Sequence, residues 1–334
     1  MSAPKIVEKL VEGALNAPEE HVNLWIWGPP GVGKSSIVHK AAADAGLDFI
    51  DFRAVTCEPT DARGFPFIED GCTRWARPEF LPTEGEGILF LDELGQAPGL
   101  VQAALLQLTL DRKVGEHELP EGWRIIAASN RQEDRAGVGR LNTALLDRFV
   151  HVDLDVSVDE WQDWAYAADL DSRVRSFINY RPNLLADFNS TERVSPSPRS
   201  WNTVSKLLNV YTDEALRYPA IEGAVGKGAA AEFISFLRTY TQLPSLEEIV
   251  SNPENVEIDK SDPSVLYALA GIVGTHGAEA KPAALAALSL FATRLPEEFA
   301  VLAIRDLVRA RREVLKVPAI GEFLKTHRDL FPRG

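Results

Sequence analysis

The chain has 334 residues with 45% hydrophobic content, which is enough to bury two cores of ordinary domain size. Its formal net charge of −14 argues against a general nucleic-acid binder, because that activity needs a basic surface. Two cysteines, Cys57 and Cys72, are too few for a zinc site or a disulfide framework. No apolar run, including 283–288, is long enough to cross a membrane, so we expect a cytoplasmic protein with no membrane partner.

The first part of the chain alternates strand and helix patterns. An amphipathic helix is predicted over 5–15, and residues 21–156 then read as a doubly wound α/β domain with a parallel sheet. A short apolar strand is predicted over 21–27, and an alanine-rich helix over 35–45 that stops at Gly46.

The segment between this strand and this helix reads GPPGVGKS, the pattern of a phosphate-binding loop. Glycines let successive backbone N–H groups point at phosphate oxygens, and the helix adds the positive end of its dipole. We expect Lys34 to reach the β- and γ-phosphates and the Ser35 hydroxyl to bind Mg²⁺. The predicted nucleotide-binding residues are Gly28, Pro29, Pro30, Gly31, Val32, Gly33, Lys34, Ser35 and Ser36.

Two further buried strands are followed by polar residues. The strand predicted over 87–91 ends in Asp92 and Glu93, and the strand over 124–128 is followed by Asn130. The carboxyl ends of parallel strands meet at one edge of the sheet, where such folds carry their chemistry. We expect Asp92 to hold hydrated Mg²⁺ and Glu93 to activate the attacking water. Asn130 is expected to bind that water or the γ-phosphate.

Two arginines are candidates for stabilising the transition state of phosphoryl transfer, where a cation is worth roughly 10³ to 10⁵ in rate. Arg148 follows a helix-like stretch, 142–146, and precedes an apolar run, 149–154, which places it at the rim of the sheet. Arg199 opens a later helical stretch. Either residue, considered singly, is also consistent with a surface arginine.

Two insertions depart from a minimal nucleotide-binding domain. Residues 64–82 hold two short aromatic runs around Asp70-Gly71, a hairpin signal, and 114–123 predicts a second hairpin or a loop. The aromatic residues of the first insertion either pack the hairpin on the domain or face a partner, and the sequence leaves both possibilities open. They are Phe65, Phe67 and Trp75.

The strand signals stop after residue 154, and the remainder reads as helical. We therefore predict two domains, 1–156 and 157–334, the second an all-α lid with a C-terminal helical extension. A polar, proline-punctuated connection is expected over 244–263. The predicted helices are 159–168, 173–179, 200–216, 229–240, 264–273, 281–293 and 296–315.

Five ordered motifs resemble those of AAA+ ATPases of the MoxR-like group, over about 24–201. GPPGVGKS resembles the Walker A motif, LFLDELGQAPGLVQAALLQL Walker B and its following helix, and IIAASN sensor 1. LLDRF resembles the arginine-finger segment, and SPRSW the start of sensor 2. The resemblance implies a P-loop NTPase fold, in which Arg148 acts in trans on a neighbouring subunit and Arg199 in cis from the lid. Arg140 is the alternative finger.

The function implied is a Mg²⁺-dependent ATPase that forms a homo-oligomeric ring, a hexamer, and remodels a protein partner. Family members often work with a von Willebrand A domain protein, and they carry two pore-facing hairpins that 64–82 and 114–123 resemble. A nucleic-acid motor or loader is an alternative, which the net acidity disfavours. A nucleotide-gated scaffold is another, which the presence of Glu93, Asn130 and Arg148 disfavours.

Overall fold

The computed structural model describes residues 3–131, 141–189 and 192–327. The chain divides into two compact units, Met1–Ser157 and Val158–Gly334. The first unit contains all nine strands of the described residues, and the second contains only helices.

The first unit is built on a parallel sheet with helices on both faces. Its strands are β1 (Leu24–Trp27), β2 (Asp48–Arg53), β3 (Pro66–Glu69), β4 (Cys72–Trp75), β5 (Gly87–Asp92), β6 (Lys113–Val114), β7 (His117–Glu118), β8 (Trp123–Ser129) and β9 (Val150–Asp153). Its α-helices are α1 (Ala3–Asn16), α2 (Lys34–Ala45), α3 (Pro59–Arg63), α4 (Gly99–Asp111) and α5 (Thr143–Leu146). The main sheet has the order β2-β5-β8-β1-β9, and all its pairings are parallel, which confirms the predicted doubly wound fold.

Alternate side chains of the central strands enter different cores. Leu89 and Leu91 of β5 pack in a core with α4, whereas Ile88 and Phe90 pack in a second core with α1 and α2. Because successive side chains of a strand point to opposite faces, a strand covered on both faces must be apolar throughout. This explains why β5 and β8 could be predicted from continuous apolar runs.

Both insertions form antiparallel hairpins. In the first, β3 pairs with β4 across a turn in which Asp70 and Gly71 have φ angles of 51° and 75°. Two successive residues of positive φ are typical of a tight hairpin turn. In the second, β6 pairs with β7.

The second unit consists of ten α-helices within the described residues. They are α6 (Val158–Ala167), α7 (Ser172–Tyr180), α8 (Pro198–Val210), α9 (Glu214–Val225), α10 (Lys227–Thr241), α11 (Leu246–Ser251), α12 (Pro263–Glu279), α13 (Pro282–Ala292), α14 (Glu297–Ala310) and α15 (Pro318–Thr326).

Three predictions for this unit were wrong in detail. The helix predicted over 200–216 is two helices, because Asp213 accepts a hydrogen bond from the backbone N–H of Ala215 and caps α9. The helix predicted over 296–315 ends at Ala310, followed by a 3₁₀ turn. The connection predicted over 244–263 contains α11, which a reciprocal Ser245–Glu248 capping box begins.

A buried acidic residue lies among the helices of the second unit. Asp306 of α14 is 7% exposed and forms a 3.2 Å ion pair with Arg309, which also contacts Asp163 of α6 at 2.7 Å. The guanidinium of Arg175 stacks over the Tyr166 ring nearby, 3.8 Å from its centroid. Burial raises the pKa of Asp306, while Arg309 acts in the opposite direction.

Among the described residues, none of the helices combines the length and the apolar character that crossing a bilayer requires.

Candidate nucleotide-binding and catalytic site

The glycine-rich loop connects β1 to α2, as the sequence predicts. Gly31 and Gly33 adopt φ angles of 77° and 102°, which favour glycine. A Cβ on Gly28 would come within 2.5 Å of the Leu154 carbonyl oxygen, beyond the end of β9. Pro29, Pro30 and Val32 complete the loop, and Ser35 and Ser36 lie in the first turn of α2, where backbone N–H groups lack intrahelical partners.

Lys34 is buried and bends back over the loop. Its Nζ donates hydrogen bonds to the carbonyl oxygens of Gly28 (2.8 Å) and Pro29 (3.1 Å). It also donates to Oδ1 of Asn130, at 2.9 Å. The structure therefore brings the predicted sensor residue to the phosphate loop, since β8 and β1 are neighbours in the sheet.

Ser35 and Asp92 lie together at the start of α2 and the end of β5. The Ser35 hydroxyl donates to Asp92 Oδ2 at 3.2 Å, and the Glu93 backbone N–H donates to Asp92 Oδ1 at 3.0 Å. Burial is the main cause that raises the pKa of Asp92, and the Ser35 hydrogen bond opposes it. A hydroxyl oxygen and a carboxylate oxygen are suitable ligands for Mg²⁺. This ion commonly takes only one or two protein ligands, and water and phosphate oxygens complete its coordination shell.

Glu93 follows directly, with an exposed side chain and a φ of 55°. A left-handed backbone is disfavoured for glutamate, by about 1 to 2 kcal/mol, so the surrounding structure must hold it. The 3₁₀ turn Leu94–Gln96 that follows Glu93 is anchored through Gly95, whose N–H donates to Ser129 Oγ at 2.7 Å.

Ser129 is a residue that the sequence analysis missed. Besides the Gly95 bond, its hydroxyl accepts a hydrogen bond of 2.9 Å from Trp25 Nε1 and donates one of 2.8 Å to the Ala128 carbonyl. Ser129 thus joins β1, β8 and the turn after Glu93. A polar residue at the end of an apolar strand was the only available signal, and it does not identify the partners.

Arg131, the residue after Asn130, forms two ion pairs. Its guanidinium pairs with Asp153 at 3.1 Å and Asp155 at 2.7 Å, which ties the end of β8 to the end of β9. The ion pairs therefore cross over β1, because β1 lies between β8 and β9 in the sheet.

Arg148 lies just after α5, half-buried, and its Nη1 donates to the Ala144 carbonyl. Its own carbonyl accepts from Asn23 Nδ2 at 3.3 Å. The Nε atom is buried with no hydrogen-bond partner among the described residues. These contacts hold the segment at the rim of the sheet, as predicted, without a hydrogen bond from Arg148 to the phosphate loop. The alternative finger, Arg140, lies outside the described residues.

Arg199 belongs to the second unit, in the first turn of α8, and its side chain is exposed. The helix begins there because Ser197 and Ser200 form a capping box with bonds of 3.1 Å and 2.8 Å, and Pro198 occupies the first turn.

Gln102 is a second functional candidate that the sequence analysis missed. This residue of α4 is 1% exposed, and its Nε2 donates to the Ala97 carbonyl at 3.0 Å. Its Oε1 accepts from the backbone N–H of Asn142 at 3.2 Å. One amide side chain therefore bridges the segment that follows Glu93 and the segment that leads to Arg148.

The parallel sheet, the glycine-rich loop after β1 and the acidic residues after β5 define a P-loop nucleotide-binding fold. Residues 24–154, less than half of the chain, match the model of the family described as "ATPase family associated with various cellular activities (AAA)". This match supports an ATPase-type nucleotide hydrolase.

One curated relative and two solved structures illustrate what the chain is similar to. The chain is 32% identical over 136 residues to "Limonene hydroxylase" of Geobacillus stearothermophilus, which is 37% of the chain and 25% of that relative. The chain thus spans about a quarter of the relative's length. A mutant RuvB of Thermotoga maritima is 17% identical with a TM-score of 0.42, covering 75% of this chain and 76% of its own. NtrX of Brucella abortus in complex with ATP is 15% identical with a TM-score of 0.42, covering 99% and 68%.

Proposed function

We propose that the protein hydrolyses ATP to ADP and phosphate with Mg²⁺, as an AAA+ ATPase of the MoxR-like group. The observation that carries the proposal is the meeting of three chain segments at one end of the sheet. Lys34 is bonded to Asn130, and Ser35 is bonded to Asp92, directly before Glu93. A phosphate-binding cation, a Mg²⁺ ligand pair and a water-activating carboxylate are the parts that this reaction requires.

Each residue has a separate role in the proposed reaction. The loop N–H groups and Lys34 bind the phosphates, and Ser35 and Asp92 hold Mg²⁺. When bound there, Mg²⁺ would supply positive charge against the charge that develops on the phosphate oxygens. Glu93 accepts a proton from the attacking water, for which its exposed carboxylate is accessible. Asn130 orients the same water or the γ-phosphate.

The arginines complete the proposal at the level of the assembly. Arg148 acts in trans, on ATP bound by the neighbouring subunit of a ring that we infer to be a hexamer, and Arg199 acts in cis from the helical lid. The position of Arg148 on the rim of the sheet supports this, because a finger must be able to reach out of its own subunit.

The first hairpin supports a protein partner as the target of remodelling. Phe65, Phe67 and Ile68 are 70%, 44% and 74% exposed, a concentration of apolar surface that is typical of a contact site. Trp75 is half-buried beneath the Arg63 guanidinium, which lies 4.9 Å from its ring centroid. The target we propose is a protein substrate or a von Willebrand A domain protein, and the net charge of −14 disfavours nucleic acid.

The two hairpins are also joined to each other. His117 Nε2 donates to the Trp75 carbonyl at 2.8 Å, and Arg74 pairs with Glu116 at 3.2 Å. The first hairpin is therefore linked through the second to the strand β8, which follows the second hairpin and ends beside Asn130.

Phosphate release from ATP and Mg²⁺ tests the proposal. Lys34→Ala is expected to abolish nucleotide binding, and Glu93→Gln to keep ATP bound with turnover lowered at least about a hundredfold. Lys40→Ala on the same helix and Glu86→Gln before the same strand are matched controls that should retain parental rates. Parental turnover in Glu93→Gln would refute the water-activation role. Strong stimulation by DNA or RNA would instead favour a nucleic-acid motor.

A further inference from the structure

Gln102 stands out because an amide side chain is fully enclosed in a region that is otherwise apolar. The buried side chains around it on α4 include Val101 and Leu105, both 0% exposed. A buried polar group costs stability unless it is hydrogen-bonded. Its amide nitrogen and its oxygen each have a backbone partner, so the residue is satisfied by a specific geometry and not by general packing.

Its two partners belong to segments that lead to different functional residues. Ala97 lies four positions after Glu93, and Asn142 lies six positions before Arg148. The Ala97 end is continuous with the 3₁₀ turn that is anchored on Ser129.

The Asn142 end is continuous with α5. Asn142 caps this helix through a 3.0 Å hydrogen bond from the Ala144 N–H, and its carbonyl accepts from the Leu145 N–H at 3.0 Å. The Arg148 N–H donates to the Leu145 carbonyl at 3.2 Å, which continues the same hydrogen-bonded turn. A run of hydrogen bonds therefore leads from Asn142 along α5 to Arg148.

We propose that Gln102 is a positioning residue that sets Arg148 relative to the segment carrying Glu93, and so prepares the finger that this subunit offers to its neighbour. The inference rests on the proposed ATPase function and on Arg148 acting in trans. Gln102 itself touches no reacting atom. It couples the two segments because each half of one rigid amide group is bonded to one of them, so neither can shift alone without breaking a buried hydrogen bond.

Subunit mixing tests the role of Gln102 by a readout that a general loss of stability would not produce. Gln102→Met, similar in length but apolar, is expected to bind ATP within about twofold of the parent and to lose about tenfold or more in turnover, because small misplacement of a catalytic group is costly. Mixed with Lys34→Ala subunits, which lack a working pocket but have an intact finger, it should recover part of that turnover. Thr109→Val is the control and should keep the parental rate: Thr109 is also buried on α4, its hydroxyl donates to the Leu106 carbonyl of the same helix, and the substitution leaves in place the Thr109 carbonyl that accepts from Asn23 Nδ2.

A second pair of variants tests the hydrogen bond between Gln102 and Asn142 by changing Asn142. Asn142 has a φ of −74° and a ψ of 112°, which proline can adopt. Because proline has no backbone N–H, Asn142→Pro removes the donor of the hydrogen bond that Gln102 Oε1 accepts. Asn142→Ala removes the same capping side chain but keeps that N–H. We expect Asn142→Pro to lose turnover as Gln102→Met does, and Asn142→Ala to lose several-fold less. Amide exchange over 143–148 should accelerate in Gln102→Met and not in Thr109→Val.

The outcomes separate the inference from the proposed function. Parental turnover in Gln102→Met, or equal turnover in the two Asn142 variants, would overturn the inference while ATP hydrolysis stood. The inference would also be overturned if Lys34→Ala subunits restored the turnover of Arg148→Ala but not that of Gln102→Met, because Gln102 would then act on the nucleotide pocket of its own subunit. Absence of ATPase activity in the parent would instead reject the proposed function.

Discussion

The Lys34 ammonium donates a 2.9 Å hydrogen bond to the side-chain oxygen of Asn130, a residue 96 positions further along the chain. Because an ammonium can only donate, the amide oxygen must face Lys34, and the amide NH₂ group of Asn130 is turned the other way. That group is a donor, which suits an oxygen of the attacking water or of the γ-phosphate. The pairing therefore gives the Asn130 amide a defined orientation.

Asn130→Ala is expected to lower turnover by about ten- to a hundredfold with little change in ATP affinity, because the lost donor acts on the reacting groups. Nucleotide titration and phosphate release measure the two effects separately. A matched loss of affinity would show that Asn130 serves mainly to hold Lys34, and not the water.

Ser129→Ala should lower turnover while leaving ATP binding largely intact, because it removes the hydrogen bond that fixes the turn after Glu93. Trp25→Phe is the control, since it removes the indole donor to the same hydroxyl and leaves the Gly95 bond in place. Both variants are expected to lower the melting temperature. Equal turnover in the two would show that Ser129 contributes stability alone.

Arg148→Ala is expected to lose ATPase activity without losing ATP affinity, and mixing with Lys34→Ala subunits should restore some turnover. A mixed ring contains interfaces that pair an intact pocket with an intact finger, whereas neither pure ring does. The absence of recovery in well-mixed samples would count against a role in trans. Recovery with Arg140→Ala in place of Arg148→Ala would move the finger to that residue.

Replacing Phe67 and Trp75 together by Ser should leave the melting temperature and the basal ATPase rate nearly unchanged, and should uncouple hydrolysis from the protein partner. Phe67 is 44% exposed, and the half-buried Trp75 packs in neither of the two cores of the first unit. The first hairpin also lies outside the main sheet, so the change leaves those cores intact. Phe90→Ser, at a fully buried position of β5, is the contrasting variant and should cost roughly 3 to 5 kcal/mol or more. A comparable loss of stability in the hairpin variant would contradict a partner-facing role.

Asp306→Asn should gain stability relative to the parent as the pH rises. The pKa of Asp306 is raised in the folded state, mainly by burial, so its favourable contribution is complete below the unfolded pKa. That contribution is lost as the pH rises through the folded pKa, where the parent must hold a buried charge and the amide need not. Melting temperatures from about pH 4, near the ordinary aspartate pKa, upward measure the difference, with Glu298→Gln, at an exposed position of the same helix, as the control. A constant difference at every pH would reject this account.

The sheet and the phosphate loop could be predicted from the sequence because their determinants are local. Each strand is a short apolar run, and the loop requires glycines at Gly31 and Gly33, where φ is positive. The hydrogen bonds of Ser129 to Gly95 and of Gln102 to Asn142 could not be predicted from the sequence. They join residues 34 and 40 positions apart, and they depend on how the elements pack. Neither a serine nor a glutamine in an apolar run indicates which backbone group it will meet.

The error at α8 and α9 has a different cause. A continuous helix over 200–216 fits the apolar spacing, but Asp213 accepts from the Ala215 N–H and so begins a new helix. An aspartate within a helical pattern can be solvated or can cap, and only its backbone partner distinguishes the two. The Ser245–Glu248 box at α11, by contrast, was a legible local signal within a segment that we interpreted as a connection.

The close approach of Gly28 to Leu154 bears on how the loop motif can vary. A side chain at position 28 would collide with a main-chain oxygen of the adjoining strand's continuation, whether or not any phosphate is bound. Gly31 and Gly33 are required for another reason, their backbone angles. The first glycine of the motif is therefore required by the packing of the loop against the chain that continues from β9, and any other residue at position 28 would have to displace that backbone.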